Sequence, residues 1–172
     1  MAFGDNQVQR NKDWVMKTII DQNVVLALAF GEAEHLSRQV VGSADILVAQ
    51  ERYIVPILGR ELTDALIEGK YSEFVEEYVA PALAFAVRLV IQPAINLRLG
   101  DSGLVAPRGE AMESPDAAAT RGLLRSLKVR TRELLKRLSA IVEQNKGQFA
   151  EYDSKCNIFN RCSIDGGVVQ IL

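Results

Sequence analysis

The sequence predicts a mainly α fold, a small helical bundle with one β-hairpin and extended N- and C-terminal arms. Three observations predict it. Apolar residues recur at helical spacing through most of residues 43–142, the period shortens to two only near residues 95–99, and residues 1–17 and 148–172 sustain no helical period. With 172 residues, 48% hydrophobic and 24% charged, the chain is long enough for one domain with a core, placed here at 18–147. Residues 1–17 form the arm and 148–172 the tail.

Twenty Lys and Arg against twenty-two Asp and Glu leave a formal charge of -2, so the chain as a whole is no polycation for coating nucleic acid. Any such contact needs a local patch. The polar start MAFGDNQVQRNKDW lacks the charged-then-apolar layout of a secretory leader. The apolar run at 79–91, interrupted by Arg88, is shorter than the ~20 residues that cross a bilayer, so no membrane partner is expected. Cys156 and Cys162 are too few for a disulfide scaffold, which makes free thiols in a reducing compartment the default.

Along the chain, Thr18, Ile19 and Ile20 suit a short extended piece, residues 24–30 a small helix, and residues 31–42 a connection. Ser43 offers an N-cap hydroxyl and Asp45 an acid near the dipole's positive end, which predicts a helix from Ala44. Pro56 has no N–H to give and disfavours helix at Val55, so that helix is expected to break or kink there. Leu58, Leu62, Ala65 and Leu66 mark a second helical face, ended by Gly69 in a left-handed conformation. Ser72 is the next cap, before the most buried helix, with a kink or restart at Pro81 and an end near Pro93.

Ile95, Leu97 and Leu99 then alternate with Asn96 and Arg98. The string Gly100-Asp101-Ser102-Gly103 supplies a turn before Leu104 and Val105, which places the hairpin near 95–106. Ser114-Pro115-Asp116 spells a helix start. The long helix that follows carries Leu124, Leu127, Thr131, Leu134, Leu138 and Ile141 on one stripe, widened by Leu135 and Val142, and Gly147 is its stop. The remaining tail reads as extended with one short strand.

The string GDSG also surrounds the nucleophile of trypsin-like proteases. Ser102 in that role needs a base and an orienting carboxylate, and the only histidine is His35. The chain is helical where that fold is strand-rich, so Ser102 reads as a turn residue and no catalytic residue is assigned. Cys156, Cys162 and His35 are one ligand short of a zinc site, with an unusual cysteine gap. No Glu-x-x-His pairs the acids Glu61, Asp64, Glu68, Glu73, Glu76 and Glu77 into a carboxylate cage, and no phosphate-cradling glycine loop occurs. No metal or cofactor is expected, and the acids read as a solvated or partner-facing surface.

A basic stripe is more informative. At helical rotation Arg121, Arg125, Lys128, Arg132 and Lys136 fall within about 80 degrees of one another. Repeating one charge at nearly every turn costs a few tenths of a kcal/mol per like pair unless acids elsewhere answer it. The readings are a solvated face, a surface for the acidic region of a neighbouring subunit, or a contact with a nucleic acid backbone. Arg137, on the leucine side, either snorkels outward or pairs across an interface.

Four segments together carry a resemblance. SADILVAQERYIVPILGREL, FVEEYVAPALAFAVRLVIQPAINLRLGDSGLV, the basic leucine-bearing helix and FNRCSIDGGVVQ resemble small prophage-encoded head-tail connector proteins of tailed bacteriophages, also called adaptor or head-completion proteins. The likeness spans about residues 18–170 and rests on element order and on strings such as YIVPILG at 53–59 and VIQPAINLR at 90–98. It implies a non-enzymatic structural subunit of the virion neck, made in the bacterial cytoplasm, that forms a ring joining the portal of the head to the tail. Its implied partners are copies of itself, portal and tail proteins, and the duplex DNA that passes through. A DNA-binding helical protein using the basic stripe is the alternative.

Overall fold

The structure, a computed structural model, describes residues 17–31, 40–95, 98–100, 103–105, 117–160, 162–165 and 168–171. Helix α1 (Gln22–Ala29) starts where the Asp21 carboxylate accepts the Val24 N–H at 2.9 Å, two residues before the expected start. Ile19 and Ile20 bend rather than extend. Helix α2 (Ser43–Ala49) has Ser43 as its first residue, not its cap. The cap is Gly42, whose N–H donates to Asp45 Oδ2 at 3.0 Å, so Asp45 fixes the start one residue early.

Pro56 does not break the chain. A π-helical turn, Gln50–Ile54, leads directly into α3 (Val55–Leu58), and the Val55 N–H reaches back five residues to the Gln50 carbonyl. That wider turn absorbs the hydrogen bond the proline ring cannot make. The real corner is Gly59, at φ +81° and ψ 164°. Arg60 opens α4 (Arg60–Ile67) and grips Glu51 bidentately, both contacts at 2.6 Å, across that corner. Leu62, Thr63, Ala65 and Leu66 are buried on one face, with the Thr63 hydroxyl donating to the Gly59 carbonyl at 2.7 Å.

Gly69 closes α4 at φ +90°, as its position predicts, and Tyr71 adds a left-handed residue at φ 57°. Ser72 is again the first residue of its helix, α5 (Ser72–Phe74), rather than the cap. A second π-helical turn, Val75–Val79, then enters α6 (Ala80–Ile95). Both wide turns end two residues before a proline, Pro56 or Pro81. The helix therefore runs over Ser72–Ile95 through Pro81 without a restart, and it ends two residues past Pro93, near the expected stop.

Helix α6 is the centre of the core. Ala82, Leu83, Ala84, Ala86 and Val87 are fully buried, and α1, α2 and α7 pack around it. Ser72–Ile95, at 24 residues and mean hydropathy 1.6, is long and apolar enough to cross a membrane, and 50% of its apolar window is buried in this body. Arg88, the charge that interrupts the apolar run, stacks its guanidinium 4.5 Å from the Phe30 ring and donates from Nη1 to the Ala29 carbonyl. A cation thus sits at the C-terminal, negative end of α1.

Helix α7 (Ala117–Gln144) has 28 residues and is about 42 Å long. Leu127, Thr131, Leu135, Leu138 and Val142 are buried, and Leu124, Leu134 and Ile141 half-buried, on the stripe read from the sequence. The helix ends ahead of Gly147, in a 3-10 turn at Lys146–Gln148, where the Asn145 side chain donates to the Ile141 carbonyl at 3.0 Å. The helix start at Ser114-Pro115-Asp116 lies outside the described residues.

The expected fold class needs correcting in its β component. Helix makes up 79% of the body formed by residues 17–31, 40–95 and 117–160, and no strand occurs in it. The reason lies at Pro93, which the helix tolerates, so that Ile95 ends α6 instead of opening a strand. Outside that body, backbone ladders join Arg98–Gly100 to Gly103–Val105 and Cys162–Asp165 to Val168–Ile171. Two strands of three or four residues do not make a sheet layer, and three or more strands with an apolar face are the usual minimum. Ser102 and residues 1–16 of the expected arm lie outside the described residues.

The first half of the expected extended tail is also corrected. Residues 149–160 fold back onto the body. Phe149 is buried against Phe74 and Tyr71, with ring centroids 4.6 and 5.0 Å away. Asn157 is fully buried, donating to Ser139 Oγ at 2.8 Å and Tyr152 Oη at 2.9 Å while its own carbonyl accepts the Phe159 N–H at 3.0 Å. Glu143 Oε1 accepts from Tyr152 Oη at 2.5 Å, from Ser154 Oγ at 2.7 Å and from Asn160.

Desolvation pushes the Glu143 carboxyl up, and the three donors together outweigh it, so its pKa lies below the ordinary value. A carboxylate depressed in the folded state adds stability that is complete above its unfolded pKa and drains as pH falls through the folded one. Acidifying from about pH 5 to 3 is therefore expected to lower the melting temperature more in wild type than in Glu143→Gln. Thermal scans across that range check it.

Candidate functional site

The basic stripe is fully outside. Arg121, Arg125, Lys128, Arg132 and Lys136 are all exposed. From Ala117 to Arg132 the helix contains no acid, and cations in this N-terminal half sit at the end of the dipole that favours anions. Lys136 pairs with Glu133 at 3.0 Å. Among the described residues no carboxylate pairs with Arg121, Arg125, Lys128 or Arg132. Beside them Leu123 is 39% exposed and Val129 59%, so this half of α7 presents apolar side chains together with its charges.

Arg137, expected to snorkel or to pair across an interface, is exposed and lies over the Tyr78 ring, 5.5 Å from its centroid. It joins α7 to the second wide turn within one chain. Arg130, which the stripe does not include, sits over Phe85 at 5.1 Å.

The six acids are all exposed but do not form a single patch. Asp64 and Glu68 line an open cleft of about 450 Å³ with Glu51, Arg60 and Lys17. Glu76 lies on another, of about 440 Å³, beside Ile20 and Asp21. Glu73 and Glu77 line a third, of about 390 Å³, together with the aromatic cluster Tyr71, Phe74, Tyr78 and Phe149 and with Ile141 and Asn145 of α7. Glu61 lines none of the three. In the third cleft the Tyr78 hydroxyl is held above its ordinary pKa, first by its hydrogen bond to Glu77 and then by burial.

Neighbouring the third cleft, Glu151 accepts from Lys70 Nζ at 2.8 Å and from the Tyr71 hydroxyl at 3.0 Å. The Lys70 hydrogen bond holds the Glu151 carboxyl below its usual range. Lys70 is thereby committed to Glu151, and among the described residues Glu73 and Glu77 have no ion-pair partner, the cation beside them being Arg137 over the Tyr78 ring. Arg121, Arg125 and Lys128 cannot reach them in the same copy: Ile141 at the cleft lies about 20 Å along the helix axis from Lys128 and about 24 Å from Arg125.

Among the described residues no three His, Cys, Asp or Glu side chains converge to hold a metal. Cys156 is an exposed free thiol 3.8 Å from Asp153 Oδ2, and His35 lies outside the described residues. Sequence reasoning missed the polar residues that organise the body: Gln50, buried and accepting the Ile19 N–H at 3.0 Å, and the Glu143–Asn157 network. A single buried amide has no periodic signature, and only burial identifies it.

Fold and surfaces together define a small α-helical body whose described charged groups line open clefts and one exposed helix face. The chain belongs to a family of unknown function, DUF6712, whose model matches residues 42–161. That span runs from the cap of α2 through the docked segment that carries Asn157. No curated protein and no solved structure matches the chain.

Proposed function

We propose that the chain is a structural subunit of a phage neck, joining the portal of the head to the tail as one member of an oligomeric ring. The observation that carries this reading is the charge segregation: an acid-free, exposed cationic half of α7, and carboxylates displayed on α4 and around the second wide turn. A near-neutral chain that separates its charges in this way suits heterologous contact, in which one face of each copy meets a different face of the next. The resemblance of YIVPILG and VIQPAINLR to connector proteins adds the virion context, including portal and tail proteins as neighbours and assembly in the bacterial cytoplasm.

Light scattering and negative-stain imaging test it, on the pure protein and on a mixture with a tailed-phage portal protein. Rings in either sample are the expected result. A monomer that also ignores the portal overturns the proposal. The same cationic half-helix favours a second reading, a DNA-binding helical protein. Titrating duplex DNA at several salt concentrations tests that one, since five cations on phosphates give a log–log salt slope of about -4 to -5. No binding at low salt removes it.

A further inference from the structure

We propose that the cleft bounded by Tyr71, Glu73, Phe74, Glu77, Tyr78 and Phe149 is the seat for Arg121, Arg125 and Lys128 of a second copy of this chain. The proposal rests on the subunit reading above and names the contact that reading requires.

Three observations converge on it. The cleft, of about 390 Å³, combines an aromatic wall with two exposed carboxylates, and among the described residues neither Glu73 nor Glu77 has a cation in ion-pair reach. Flat guanidinium groups bind such a surface through the ring faces and the carboxylates together. The chain already uses this chemistry four times, with Arg52, Arg88, Arg130 and Arg137 each within 5.5 Å of a ring centroid. One of those rings is Tyr78, where Arg137 of α7 stands at the edge of this cleft.

The donor surface is equally unanswered. Arg121, Arg125 and Lys128 are exposed, unpaired among the described residues, and flanked by the apolar Leu123 and Val129. A rigid helix keeps them about 24 Å from their own cleft, measured from Arg125 to Ile141, so the partner is another copy. Donor and acceptor are different faces of one chain, and a contact of that kind propagates from copy to copy until it closes.

Two reversed variants test the contact by sedimentation at low salt over rising protein concentration. One carries Arg121→Glu, Arg125→Glu and Lys128→Glu; the other carries Glu73→Lys and Glu77→Lys. Each is expected to weaken self-association at least about tenfold, as loss of close charge pairs does. An equimolar mixture of the two is expected to recover it, because each reversed face then meets its complement. Glu73→Gln with Glu77→Gln, which adds no new charge beside Arg137, should fall between wild type and reversal, and thermal melting confirms that every variant folds.

Wild-type association that persists in both reversed variants, or a mixture that fails to recover, overturns this contact while leaving the subunit reading intact. A wild-type chain that stays monomeric up to millimolar concentration also overturns it. The subunit reading then stands or falls on the portal experiment.

Discussion

Asn157→Ala is expected to lower unfolding free energy by about 3 kcal/mol. The side chain is fully buried and uses both ends: its amide nitrogen donates to Ser139 and Tyr152, and its oxygen accepts the Phe159 N–H. Truncation leaves that half-buried N–H without its partner and opens a void beside α7. It also releases Tyr152, which shares Glu143 with Ser154 and Asn160, so the loss spreads through one network. Urea denaturation measures it. A loss below about 1 kcal/mol would mean that residues 149–160 unfold separately from the helices and that Asn157 does not secure them.

Gly59→Ala is expected to cost about 2 kcal/mol, for a different reason. Space is not the obstacle: an added Cβ meets only the Cys156 Cβ, at 3.6 Å, an ordinary contact. The cost comes from φ +81° with ψ 164°, a region essentially closed to side-chain-bearing residues. Gly69 at φ +90° is left-handed too, and has open space around it. Cys156→Gly, which removes that Cβ, is therefore expected to give no rescue when combined with Gly59→Ala, measured against Cys156→Gly alone. Rescue in the double variant, measured by the same denaturation, would assign the cost to crowding instead of backbone.

How far the sequence reveals this molecule depends on what each residue answers to. The faces of α4 and α7 are legible because Leu62, Ala65, Leu66 and then Leu127, Leu138 and Val142 obey one period, and burial follows it. The exposure of the basic stripe is legible for the same reason. Pro56 and Pro81 mislead, since a rule about missing N–H groups says nothing of a neighbouring turn that widens to absorb the loss. A finer signal does exist. Ala49 and Ile54 are both buried, as are Phe74 and Val79, and a spacing of five followed two residues later by proline marks each wide turn.

Caps mislead by one residue at Ser43 and Ser72, because Asp45 and the left-handed Tyr71 set those starts instead. The grouping of the acids is not legible at all. Glu73 and Glu77 become cleft residues only once Phe149, more than seventy positions away, folds onto Phe74. The alternation near residue 95 suggests a strand, but α6 claims Ile95.

The paired wide turns carry a mechanical consequence. Each accommodates one residue more than a regular helix would, and the proline behind it acts as a pawl: sliding the extra residue forward would bring the ring to a place where a carbonyl still needs its donor. The extra residue is thereby held at one place in each helix, which sets how the side chains before it are turned relative to those after it.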